Sequence, residues 1–176
     1  MSSNSQENPM SKIEDFVQEY VTSLPEYERS KMKAYEITDF GNTKEMADSI
    51  GALARSGIKT ATSMLLWELE QGDEKYPFLG EIDVVTDGTG EPLCIIEFTE
   101  IEVRPFNAID ESFAYDYGEG DRTLIWWRSA MWEYYVEEFH ILGREPKESM
   151  PLVCMRFRLL YPAIRNDKAL NALNNE

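Results

Sequence analysis

The spacing of the apolar residues changes along this chain, and that change limits the fold more than any other feature. From Ile13, the positions Phe16, Val17, Tyr20, Val21 and Leu24 recur at helical spacing until Pro25 stops them. Lys33 to Phe40 is a short run of undecided type, closed by Gly41. Asn42 followed by Glu45 reads as a capping box. Met46, Ala47, Ile50, Leu53 and Ala54 then form one stripe that ends at Gly57. Thr62 to Leu69 predicts a further helix, leaving Gly57 to Ala61 as a tight link between two helices. Beyond it the pattern becomes that of strands: Glu81 to Thr86, the turn Asp87-Gly88-Thr89-Gly90, then a long strand over Pro92 to Val103. After Pro105, a glycine-containing acidic loop runs to Asp121, a natural N-cap for a helix from about Thr123 to Phe139. Leu152 to Tyr161 is the last strand. Helices stand before and between the strands without βαβ alternation, so an α+β fold with a small barrel or curved sheet and flanking helices is expected.

At 176 residues, the chain suits one domain with its own core. That domain is expected over residues 13–162, between a disordered N-terminal segment at 1–12 and a polar C-terminal tail at 163–176. There is neither a basic, apolar leader nor a run of 18 apolar residues, which predicts a cytoplasmic protein without membrane contact. Cys94 and Cys154 lie in apolar strand-like runs and read as buried free thiols. A net charge of −16, from 33 acids against 17 bases, argues against gripping long nucleic acid by its phosphates. A small molecule or a single RNA base suffers less from that field.

The single His140 removes most familiar catalytic machinery, since neither a Ser/His/Asp triad nor a His/Cys zinc set can be presumed. No phosphate-cradling glycine loop occurs, and the loop Asp116 to Asp121 has glycines where an EF-hand needs oxygen ligands. No metal and no cofactor are therefore expected. Lys59 and Thr62 are three residues apart, on one side of a turn expected to open a helix. The positive end of a helix dipole would lower the Lys59 pKa, so that a neutral amine could activate the Thr62 hydroxyl for attack on a carbonyl. Alternatively, Thr62 or Ser63 caps the helix and Lys59 is solvated. Glu119 and Asp121 sit in a loop that glycines allow to bend sharply, where a carboxylic acid could protonate a leaving amine. Alternatively, Asp121 only caps the following helix. In that helix Trp126, Trp127, Trp132, Tyr134, Tyr135 and Phe139 cover more than one face, which suits either a core buried on several sides or a homodimer contact.

Several segments together resemble the ASCH family of the PUA-like superfamily. They are Phe40-Gly41-Asn42, Ala47-Asp48, Gly57 through Ser63, Gly88 through Pro92, Arg104-Pro105-Phe106, Phe113-Ala114, Gly118 through Asp121, Trp127-Arg128 and Met150 through Cys154, in order over about 115 residues. The resemblance implies a PUA-like small β-barrel with flanking helices around a cleft, and a link to RNA or nucleoside metabolism. Some members are described as amidohydrolases that deacetylate acetylated cytidine with a lysine, a threonine three residues later and a glutamate; others are described as ribonucleases. Lys59 and Thr62 match the first two, and Glu119 is the chosen glutamate, with Asp121 and Asp116 behind it. The implied activity is metal-independent hydrolysis of an acylated nucleoside or related small amide. Lys59 would be base, Thr62 nucleophile and Glu119 acid, with Gly57, Ser63, Tyr117, Asp121 and Arg128 as substrate contacts. A non-catalytic RNA-binding module, with Lys59, Arg122 and Arg128 in a local basic cleft, is the alternative. Ribonuclease action is disfavoured by the acidic charge and the single histidine. The sequence departs from its relatives at Tyr117, Met131 and Met155, where they usually carry an acidic residue, a histidine and a glutamate.

Overall fold

The computed structural model describes residues 9–30, 32, 34–71 and 75–163. Helix α1, Pro9–Ser23, starts four residues before Ile13, so Pro9 to Lys12 are not part of a disordered segment. Lys12 is tied down by an ion pair with Glu91. Residues 1–8 and 164–176, where the remaining terminal expectations fall, lie outside the described residues. A short α2, Glu26–Arg29, follows Pro25, and the undecided run beyond it contains β1, Glu36–Thr38.

Helix α3, Lys44–Arg55, is capped by Thr43 rather than Asn42. Thr43 is extended and its hydroxyl accepts the Met46 N–H at 3.2 Å, so the helix begins one residue later than a capping box at Asn42 would place it. The next correction is larger. The segment expected to be helical from Thr62 is β2, Ala61–Leu65, followed directly by α4, Leu66–Gln71. A short apolar run has no decisive period of its own, and pairing with a distant strand settles it.

Strands β3, Ile82–Thr86, and β4, Pro92–Pro105, form the expected hairpin. A 3₁₀ turn at Phe106–Ala108 then leads to α5, Glu111–Tyr117, in the stretch read as loop. Asp110 starts α5 by accepting the Phe113 N–H at 2.8 Å. Helix α6, Leu124–Leu142, is capped by Thr123, whose hydroxyl accepts the Trp126 N–H, and not by Asp121. Asp121 instead accepts from the Thr123 amide and hydroxyl. Strand β5, Pro151–Tyr161, completes the chain's regular structure.

The strands form one sheet in the order β1-β3-β4-β5-β2, curled into a half-barrel. Every pairing is antiparallel except β1 with β3. Three apolar clusters hold it. Ile13, Val17 and Tyr20 of α1 cover Val84 and Ile95 on the outer face. Ile50 and Ala54 of α3 pack with Phe40, Val85, Ile96 and Phe157. The third joins α5 and α6 to β2 through Phe113, Trp127, Tyr135 and Phe139. Trp127, Tyr135 and Phe139 are fully buried within this one chain, which accounts for most of the aromatic helix as core. Among the described residues, no helix is long and apolar enough to cross a membrane. Cys94 and Cys154 are free and buried, and burial pushes both thiols up to about 12.

Candidate functional site

Lys59 is held by three parts of the chain at once. At the end of α3, the amides of Ile58 and Lys59 both donate to Leu53 O. The neighbouring Thr60 amide donates to Asp116 O at 2.7 Å near the end of α5, and Thr60 O accepts from Phe157 N of β5. Gly118, at φ 78°, ends α5 directly against this segment: a Cβ there would stand 2.6 Å from Lys59 Cα and 2.7 Å from Ile58 O. Only glycine allows that approach.

The result is a lysine with 1% of its surface exposed. Its Nζ donates to Glu119 Oε1 at 2.7 Å and to Tyr117 O at 3.2 Å, a carbonyl in the last turn of α5. It also sits 3.6 Å from the centre of the Tyr117 ring. Burial drives the Lys59 pKa down, and the negative charge of Glu119 opposes it. The expected direction therefore holds for a different reason: Lys59 precedes a strand, so burial and not the positive end of a helix dipole lowers it. Burial likewise raises the Tyr117 phenol, as does the charge of Glu119, while the nearby Ser63 and Thr62 hydroxyls work in the opposite sense. Ser63 Oγ is also 2.8 Å from Tyr135 OH.

Lys59, Thr62, Ser63, Tyr117 and Glu119 line one cavity of about 70 Å³, together with Phe40, Met131 and Tyr134. It adjoins a cleft of about 600 Å³, with which it shares Phe40, Gly41, Thr62, Ser63 and Tyr134. The cleft fills the gap between the two edges of the half-barrel, touching Glu36, Ile37 and Thr38 of β1 and Thr62, Ser63 and Met64 of β2. All three departures from the family pattern face these spaces, Tyr117 and Met131 in the cavity and Met155 in the cleft.

The other expected contacts lie elsewhere. Gly57 terminates α3, Asp121 orders the turn before α6, and Asp116 pairs with Arg156 at 3.0 Å. Arg128 donates to the carbonyls of Asn107 and Ile109, while Arg122 stacks on Tyr115. Lys59, Arg122 and Arg128 therefore do not line one basic cleft. Nor does a direct hydrogen bond join Lys59 Nζ to the Thr62 hydroxyl among the described residues. Sequence reasoning missed the acidic wall of the cleft, where Asp83 is 7% exposed. Its signal was a carboxylate between Ile82 and Val84 in an apolar strand. Among the described residues, no group of three or more His, Cys, Asp or Glu could hold a metal ion.

Comparison with known proteins supplies the rest. The ASCH domain family model matches residues 36–161. An ASCH domain structure from Lactobacillus crispatus JV V101 is 30% identical with a TM-score of 0.81, over 92% of this chain and 100% of that one. A structure of a protein from Enterococcus faecalis V583 is 29% identical with a TM-score of 0.73, over 86% and 91%. No protein of the curated set matches significantly. With the family model spanning the sheet and both walls of the cavity, the chain belongs to the ASCH domain family.

Proposed function

We propose that this protein is a metal-independent amide hydrolase acting on an acylated nucleoside or a related small amide. The observation that carries the reading is a fully buried lysine, bonded to a cavity-lining carboxylate at 2.7 Å, in the same small cavity as the Thr62 hydroxyl. A threonine hydroxyl needs a base to become a nucleophile, and burial makes an amine available as one below its ordinary pKa.

In this scheme the neutral Lys59 amine takes the Thr62 proton as Oγ1 bonds to the substrate carbonyl carbon. The Lys59–Glu119 hydrogen bond passes a proton to the carboxylate, and Glu119 delivers it to the leaving nitrogen as the C–N bond breaks. Water then attacks the acyl-threonine ester. Its proton goes to Lys59, and the acid departs as Thr62 regains a hydrogen. Lys59 and Thr62 must come together on substrate binding, since they line the same cavity without a direct hydrogen bond between them. The same base predicts kcat/KM rising with pH through a value below the ordinary lysine pKa.

The test is hydrolysis of a panel of N-acylated cytidine nucleosides by the wild type and Thr62→Ala, with a thermal melt of both. Loss of about a thousandfold or more in kcat/KM with an unchanged melt is expected. Full turnover by Thr62→Ala overturns the assignment.

A further inference from the structure

Asp83 lines the cleft, is 7% exposed, and its Oδ1 is fully buried without a hydrogen-bond partner among the described residues. A buried acceptor without a donor is costly to the fold. Its place in the sheet explains the direction in which it looks. Val84 of β3 faces α1 in the outer cluster, whereas Asp83 and Val85, one residue to either side, face inward.

The surroundings say what kind of donor would suit it. Glu36, directly opposite Asp83 in the parallel β1–β3 pairing, also lines the cleft, as do Glu81 and, further round, Glu68 and Glu138. Among the described residues, the single cation lining this cleft is Lys75, 3.1 Å from Glu36 and 3.8 Å from Glu81. Such a wall repels phosphates and carboxylates and attracts positive charge. Among the described residues, the carboxylates are not grouped closely enough for a metal ion, and a cleft of about 600 Å³ has the volume of an organic ligand.

We infer that the β1–β3 end of the cleft binds an organic ammonium group, whose N–H donates to the Asp83 carboxylate where it lines the cleft, while Glu36 and Glu81 supply the negative field. Because this cleft shares a wall with the Lys59 cavity, one ligand reaches both. On the hydrolase reading, on which this last step rests, the substrate is an acylated compound that carries a protonated amine apart from its amide. Phosphorylated nucleotides are excluded by the same wall. Burial, with help from Glu81 and Glu36 and against Lys75, raises Asp83 to about 7, so a bound cation would expel its proton and binding would tighten from pH 6 to pH 8.

The experiment is calorimetric titration of the full chain with butylammonium, tetramethylammonium and magnesium, at matched ionic strength. Butylammonium is expected to bind, with affinity reduced about tenfold or more by Asp83→Asn and increased by Lys75→Ala. Tetramethylammonium has the charge without the N–H and is expected to bind more weakly. Absence of butylammonium binding, equal affinity in Asp83→Asn, or a magnesium site abolished by Asp83→Asn would each overturn the inference. Amine binding sensitive to Asp83, with no turnover of any amide, sinks the hydrolase reading alone. Turnover with no such binding sinks this one alone.

Discussion

Replacing Asp83 by asparagine should make the protein more stable at alkaline pH and hardly change it in acid. Asp83 is drawn up from 3.8 to about 7, first by burial and then by Glu81 and Glu36, with Lys75 opposing. The folded protein therefore binds this proton more tightly than the unfolded chain does. Its stabilising contribution is complete below about pH 4 and is lost as pH rises, until the folded carboxyl ionises near 7. A change in proton affinity of about a thousandfold amounts to about 4 kcal/mol, of which about 2 to 3 kcal/mol falls between pH 5 and pH 8. Asparagine keeps the size and hydrogen-bonding capacity of the side chain and never ionises. Urea denaturation of both proteins across that range isolates the term, because the remaining carboxylates titrate in each. The difference should grow toward alkaline pH in favour of Asp83→Asn. Parallel stability curves would refute the claim that Asp83 is held in a buried, acid-lined environment.

Two further outcomes follow from the geometry. Lys59→Met removes the partner of Glu119, whose side chain is only 12% exposed, and should destabilise the fold by about 3 kcal/mol; Glu119→Gln in the same chain should restore most of that, as denaturation midpoints would show. At the start of α3, Thr43→Ala should cost about 1 kcal/mol and Asn42→Ala almost nothing, the reverse of what a capping box at Asn42 requires.

The elements legible in the sequence were those with a strong local signal. The stripe from Met46 to Ala54, the turn at Asp87 to Gly90 and the run from Leu152 to Tyr161 each carry their own period or punctuation, and each lies in the expected element. Thr62 to Leu65 had none. Its strand exists because Ala61 to Leu65 pairs with Leu152 to Arg156, about ninety residues away, a register no local pattern contains. Helix α5 was hidden for a related reason: it has only two turns, and its start is one aspartate that also suits a loop. The site was partly readable because Lys59, Thr62 and Glu119 carry reactive groups. Phe40 and Tyr134 carry no such mark, and tertiary structure brings them to the cavity.

Charge on this protein has a position as well as a total. The −16 excess argued from the sequence against long nucleic acid, and the fold places Glu36, Glu68, Glu81, Asp83 and Glu138 around the one large cleft among those described. Lys59 lies beyond that wall with its charge opposed by Glu119 at 2.7 Å, so it offers an approaching phosphate little attraction. Arg122 and Arg128 are turned to their own neighbours. An RNA backbone would have to cross the carboxylates before meeting any cation of the cavity, and that barrier weighs against both the RNA-binding and the ribonuclease readings. A neutral amide bearing an ammonium meets the opposite field. On the proposed reading, the cleft would draw its charged end to Asp83 and leave the amide free to reach the hydroxyl of Thr62 on the shared wall.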